Sequence, residues 1–442
     1  MTLVPPLPGE DLLALLVQVA TLLGAARLLG GLAGRVGLPA IVGELTAGIL
    51  LGPSVLGQLA PEVSHWLFPP RPEQQHLLDA VAQIGVLLLV GLAGTQVDLE
   101  GMRGRVAGVA KIGVLALVLP LGLGVGIGLL IPAPVRPEGA DTMVFALFLG
   151  VALSVTAIPV IAKTLLELGL IHRDIGQLVL AAGAVDDAVG WLLLAVVSAF
   201  AINGGTSAAA YVAVGGLAIF LALAIVVARP LIRHLMRRAS ATEDATAPTA
   251  TAAIILLTGA VATQSIGVEA VLGTFVFGLL IGSSTAPPAA LRPLHTTVLG
   301  VLAPIYFASA GLRINLSALA NPALLAVASL ILAAAIAGKF AGGYLGAGFS
   351  GLPHRERIAV GIGMNARGIV EVVIATMGLR LGILGSEAYT ILVLVAVVTS
   401  LMAPPLLRWA MSGSTETREE RERGRRVVAT DAQSALDRGV GE

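Results

Sequence analysis

Two adjacent carboxylates, Asp186 and Asp187, sit in LVLAAGAVDDAVGWLLLAVV, flanked on both sides by apolar or small residues. An ionisable side chain in the middle of a membrane-spanning helix costs about 2.5 to 3.5 kcal/mol on the insertion scale, so such residues mark functional sites. The others within apolar stretches are Glu44, Lys339, Arg367 and Glu371. Neighbouring residues of a helix point about 100° apart, so the two aspartates cannot face one partner. One can line a water-filled cavity while the other takes a buried counter-charge. Lys339, in IAGKFAGGYLG, is the only Lys away from a loop and the obvious partner. A purely structural ion pair needs one Asp and one Lys, which leaves the second carboxylate, Asp187, as surplus charge and the stronger functional candidate.

Two apolar stretches look discontinuous. ALSVTAIPVIAK (152–163) concentrates Ser154, Thr156 and Pro159, and GIGMNARGIVEVV (361–373) carries three glycines with Asn365 and Arg367. Unwound backbone at mid-membrane offers carbonyl oxygens and half-helix dipoles to a desolvated ion. An ordinary proline kink is the alternative. Arg367 and Glu371, four apart on one helix face, can neutralise each other, and Glu44 fits a scaffold hydrogen bond better than an ion site. GAGFSG (346–351) has the GxGxxG spacing but closes an apolar span instead of joining a strand to a helix. An aspartyl protease needs two carboxylates converging on one water, which helix neighbours cannot supply. The six histidines, His65, His76, His172, His234, His295 and His354, lie near span ends, so they suit surface pH sensing and no mid-membrane relay.

The elements that must position these residues follow from composition. Over 442 residues the chain is 56% hydrophobic and 12% charged, with mean hydropathy +0.93, where a soluble domain carries about 25% charge. The apolar content falls into runs long enough to cross a bilayer. Thirteen spans are expected, at about 11–33, 38–53, 77–97, 106–131, 141–168, 174–201, 208–228, 250–266, 270–284, 295–313, 323–349, 356–379 and 386–411. Basic residues in the loops after odd spans outnumber those after even spans by fourteen to four, which predicts an outside N-terminus and a cytoplasmic C-terminus. MTLVPPLPGE lacks the basic start of a signal peptide, so the first span directs insertion. Residues 1–10 are expected outside, 11–411 in the membrane, and 412–442 as a disordered cytoplasmic tail of mixed charge. Zero net charge and no Cys exclude an electrostatic footprint for nucleic acid, thiol catalysis and thiolate metal sites.

An internal repeat organises the spans. GELTAGILLGPS (43–54) resembles VLGTFVFGLLIGSS (271–284), and IGVLLLVGLAGTQVDLEGM (84–102) resembles LAPIYFASAGLRINLSAL (302–319). Both matches are offset by seven spans. An odd offset reverses direction, which predicts an inverted-topology repeat, the architecture of secondary transporters. The fold expected is an all-α membrane protein of about 13 transmembrane helices, with inverted repeats and two discontinuous helices.

Together, VDDAVGW (185–191), SVTAIPVIAKTLLELGL (154–170), GELTAGILLGPS and GMNARGIVEVV (363–373) resemble the monovalent cation:proton antiporter-2 family over about 38–411. The resemblance implies a sodium/proton antiporter-like homodimer. In it, a scaffold (spans 1–3 and 8–10) holds the interface and a core (spans 4–6 and 11–13) moves as an elevator. It further implies that Asp187 carries the ion while Asp186 pairs with Lys339, that Ser154 and Thr156 contribute to ion and proton binding, and that Arg367 and Glu371 are supporting core charges. MNARGIVEVV is closer to plant-type cation/proton exchangers and related bacterial members, several of which move potassium. The expected activity is exchange of protons for Na+ or K+ at the cytoplasmic membrane, without a cofactor and without enzymatic chemistry, serving pH homeostasis. A sodium-coupled solute symporter is the alternative; it needs a polar pocket for an organic substrate, and no extra polar cluster provides one. A cation channel is disfavoured by the lack of a repeated filter-like loop.

Overall fold

The computed structural model describes residues 8–69, 71–95, 106–131, 136–137, 140–157, 161, 164–165, 168, 170, 172–202, 207–242, 244, 246–266, 268–284, 288–412 and 420. Pro159, Lys163, Arg103 and Arg105 lie outside these, as do residues 1–7 and most of the expected tail. The regular structure among the described residues is helical, with no strand. Ten of the helices are long and apolar enough to span a membrane.

The main helices are α1 (Gly9–Arg35), α2 (Ala40–Leu51), α3 (Pro72–Thr95), α4 (Val106–Leu130), α5 (Thr142–Ser154) and α6 (Asp174–Ile202). Helix α7 starts as Ser207–Leu223, passes through a π-helical turn at Ala224–Ala228 and ends as Arg229–Ser240. Then come α8 (Ala247–Ser265), α9 (Ala270–Gly282), α10 (Arg292–Leu312, with a π-helical turn at Val298–Leu302), α11 (Pro322–Phe349), α12 (His354–Met364), α13 (Ile369–Arg380) and α14 (Ser386–Met411). The twelfth expected span is thus two helices, and the fifth breaks after Ser154, with Ile161, Thr164 and Leu165 helical beyond the break. Several cations assigned to loops lie on helices instead: Lys111 in α4, and Arg229, Arg233, Arg237 and Arg238 on the extension of α7. Hydropathy falls where charge begins, but backbone hydrogen bonding continues through an amphipathic segment. Glu420, placed by sequence in a solvated tail, is buried. Its carboxylate pairs with Arg173 (3.1 Å) and accepts from the Asp174 backbone N–H at the start of α6 (2.9 Å).

Packing separates the helices into two groups. Helices α1, α2, α3, α8, α9 and α10 contact one another, and α4, α5, α6, α11, α12, α13 and α14 form the second set. Helix α7 joins α6 to α8, with its extension against α8 and α9.

The repeated glycines explain the first group. Small residues let membrane helices approach to backbone contact. A Cβ on Gly48 of α2 would lie 2.0 Å from the Ala308 carbonyl oxygen and 2.7 Å from Gly311 Cα of α10. A Cβ on the matching Gly278 of α9 would lie 2.0 Å from the Gly91 oxygen and 3.2 Å from Gly94 Cα of α3. Gly43 and Gly273 likewise touch the backbones of α1 and α8 at Leu29 and Gly259. Each of the two similar short helices, α2 and α9, therefore packs against the helix that follows the other, at positions that align in sequence. Gly→Ala in a helix interior normally gains about 0.5 to 1 kcal/mol, whereas forced overpacking costs about 1 to 3 kcal/mol. Gly48→Ala is therefore expected to lower the melting temperature of the purified protein. Gly126→Ala on α4, whose Cβ would meet nothing within 4 Å, is expected to leave it unchanged or higher. A Gly48→Ala melt at or above wild type would show that the helix pair can part freely.

Candidate functional site

Glycines also place Lys339. Gly338, Gly342 and Gly346 of α11 lie against the backbone of α4 at Pro120, Leu115–Ala116 and Ile112. This close seam holds α11 in register, and Lys339, the next residue after Gly338, is fully buried in the second group. Asn321 starts the same helix by accepting from the Ala323 backbone N–H (2.9 Å), with Pro322 at its first position.

The breaks in α5 and α12/α13 meet. Helix α5, capped by Asp141 accepting from the Met143 and Val144 N–H groups, ends at Ser154, after which Val155 is extended. The chain is non-helical again at 366–368. The two stretches are joined by Ala157 N–H donating to the Ala366 carbonyl at 3.2 Å. Glu371 stabilises the start of α13 by accepting from Gly368 N–H at 2.7 Å.

Asp186 and Lys339 form a buried ion pair beside this crossing. The same carboxylate oxygen accepts from the Thr156 hydroxyl, which also lies 3.4 Å from the Met364 carbonyl oxygen. Asp187 is buried too, at 2% exposure, one residue along the unbroken α6. Of the two adjacent carboxylates, Asp186 is on the lysine.

The carbonyls at the end of α5 each accept from a side chain. A helix leaves its last four carbonyls without intrahelical donors. The Ser154 hydroxyl donates to the Val151 carbonyl at 2.8 Å. The Arg367 guanidinium donates to those of Ala152 (3.3 Å) and Leu153, and Lys339 donates to that of Ser154. Arg367 further donates to the Ala335 carbonyl of α11 at 3.2 Å, and its own carbonyl accepts from the Ser400 hydroxyl of α14. Arg367 and Glu371 approach only to 3.9 Å, because Arg367 lies in the unwound stretch and not on the face of α13. Asn365 donates from its amide to the Ile336 carbonyl at 2.8 Å, a second tie to α11.

Sequence reasoning missed Ser400, although the Thr399–Ser400 pair in an apolar span was a signal for it. It also missed the polar seam between the two groups. There the Tyr306 hydroxyl donates to Thr376 (3.3 Å), the Tyr389 hydroxyl donates to the Ala310 carbonyl (2.7 Å), and Thr390 accepts from Asn315 N–H (3.1 Å). A cavity of about 270 Å³ lies along it, lined by residues that include Asp79, Ser309, Arg313, Thr376 and Arg380. Glu44 is buried in α2 of the first group, beside Gly30 of α1 and away from the crossing.

Residues 20–413 match the family described as sodium/hydrogen exchanger, transmembrane. The Na+/H+ antiporter NhaS4 of Synechocystis sp. is 31% identical over 401 residues, covering 90% of this chain and 97% of the relative. Cation/H+ antiporter 15 of Arabidopsis thaliana is 34% identical over 373 residues, covering 84% of this chain and 44% of the relative. The chain spans about half the length of the Arabidopsis relatives it matches. In fold it is similar to the sodium proton antiporter MjNhaP1 of Methanocaldococcus jannaschii at pH 8, with a TM-score of 0.60 at 15% identity, covering 91% of this chain and 98% of that one. With crossed helix breaks around a buried Asp–Lys pair and a family match over nearly its whole length, the chain belongs to the transmembrane sodium/hydrogen exchanger family.

Proposed function

We propose that this protein exchanges protons for a monovalent cation, Na+ or K+, across the cytoplasmic membrane, with Asp187 as the carboxylate that takes either. The observation that carries this reading is a second buried carboxylate immediately after the ion-paired one. Asp186 is committed to Lys339 and Thr156, and Asp187 is the second, buried carboxylate beside the helix crossing. Keeping another ionisable group at such a depth is costly and marks it as functional. A proton and a cation each satisfy its charge, and they exclude one another. The relatives named as Na+/H+ and K+/H+ antiporters support the same exchange.

In this reading α1–α3 and α8–α10 act as a scaffold that forms a homodimer interface, and the group containing α5, α6 and the crossing moves against it. The separation of the two packing groups and the matched glycine contacts of α2 and α9 support that division and an inverted repeat. The excess of cations in the loops and helix ends after odd spans supports an outside N-terminus and a cytoplasmic C-terminus. An inward proton gradient would then expel the cation and serve pH homeostasis.

Competition for one carboxylate has a kinetic signature. In proteoliposomes the apparent affinity for Na+ or K+ is expected to weaken as pH falls, about tenfold per unit below the carboxyl's titration midpoint, with the maximal rate at saturating cation little changed. Acid that strengthens apparent cation affinity would reject exchange in favour of symport.

A further inference from the structure

Helix α7 is longer than a hydrocarbon layer is thick. From Ser207 to Ser240 it continues through its π-helical turn, about 50 Å at 1.5 Å per residue, against a thickness of about 30 Å. The excess is its last part, RPLIRHLMRRAS (Arg229–Ser240), and this part has three faces. Ile232, Met236 and Ala239 are buried, on the side that meets α8 and α9. Leu231 and Leu235 are exposed on a second face, and Ile225, Val226 and Val227 are exposed around the preceding turn. Arg229, His234, Arg237 and Arg238 are exposed on the remaining arc.

Nothing described in the protein neutralises that arc. The ion pairs among the described residues involve other cations. Asp244, which follows the helix, instead accepts from the Thr246 N–H and hydroxyl. Arg233 is engaged elsewhere, donating to the Ser283 carbonyl at the end of α9 (3.3 Å), where a cation suits the helix dipole. The three remaining arginines sit beside exposed aliphatic side chains on one helix, so the apolar residues reach acyl chains while the guanidinium groups reach the level of lipid phosphates.

We propose that Arg229, Arg237 and Arg238 form a binding surface for anionic phospholipid headgroups at the end of α7. Guanidinium presents paired N–H donors that match a phosphate, and the adjoining apolar strip selects a phosphate attached to acyl chains over a free anion. The surface lies on the helix that connects the two packing groups, so the lipid anchors the connector. This inference rests on the chain spanning a membrane and not on which ion it carries, so its test and the transport test fail separately.

The test is native mass spectrometry of the purified full-length protein, exchanged into detergent with equal phosphatidylglycerol and phosphatidylcholine. Wild type is expected to retain phosphatidylglycerol preferentially. Each basic residue near an anionic surface contributes on the order of fivefold, so Arg229→Gln/Arg237→Gln/Arg238→Gln is expected to weaken retention by roughly a hundredfold. The corresponding triple Lys variant should keep most of it. Melting curves, expected to coincide in mixed neutral detergent, establish that the Gln variant is folded. Equal retention of the two lipids by wild type, or undiminished phosphatidylglycerol on the folded Gln variant, would overturn the proposal.

Discussion

Asp187→Asn is expected to give a folded, inserted protein whose cation-dependent proton movement in everted vesicles falls to that of vesicles without it. The amide keeps the shape of the side chain, and removing a charge at 2% exposure lowers the cost of burial. What it removes is titration: an amide cannot trade a proton for a cation, so no coupled flux survives. Asp186→Asn should behave differently, because it leaves the Lys339 ammonium buried without its counter-charge. Breaking a buried pair from one side costs about 3 to 5 kcal/mol, and melting curves should register that loss. Asp186→Asn/Lys339→Gln should recover part of it. Appreciable exchange by Asp187→Asn, in a preparation as stable as wild type, would move the shared carboxylate to Asp186.

Arg367→Leu is expected to have the largest effect on folding. Its guanidinium serves carbonyls on α5 and α11 at a place where no bulk water can replace it. Leaving a buried acceptor unsatisfied costs about 1 to 3 kcal/mol, and three are lost together with the countercharge near Glu371. That exceeds the effect of most single substitutions, so little monodisperse protein should survive extraction. Arg367→Lys should be intermediate, since an ammonium on a shorter reach cannot fork between Ala152 and Leu153. Glu371→Gln should be mild, because the amide oxygen can still accept from Gly368 N–H. Size-exclusion melting curves of the three variants check the order. A stable Arg367→Leu would mean that the end of α5 finds other donors.

Much of this was legible in the residues themselves. The Asp186–Lys339 pair follows from one lysine and two carboxylates in otherwise apolar spans, and the breaks from Ser154, Thr156, Pro159 and the glycines of 361–373. The glycines of 43–54 and 271–284 were legible as a pattern but not as contacts; only the packing shows that α2 seats on α10 and α9 on α3. The role of Arg367 was hidden by its spacing to Glu371, because four residues imply neighbours only if the helix is continuous. The tail was read from composition, and composition does not see a single carboxylate such as Glu420 meeting Arg173 and a helix start across the fold. The amphipathic end of α7 escaped for a related reason: a hydropathy window stops at the first cluster of arginines, while the helix does not.

The occupied end of α5 has a consequence for ion discrimination. Filters that sort ions by size do so with rings of backbone carbonyls that replace the hydration shell. Here the carbonyls of Ala152, Leu153 and Ser154 face a guanidinium and an ammonium, whose positive charge repels any third cation. In the exchange proposed above, an ion reaching Asp187 would therefore be dressed by carboxylate and hydroxyl oxygens and by the water it brings, a flexible and partly hydrated shell. Such a shell adapts to ionic radius instead of enforcing one. Under that proposal, the ion moved would be set more by which cation is abundant beside it than by the diameter of a cage.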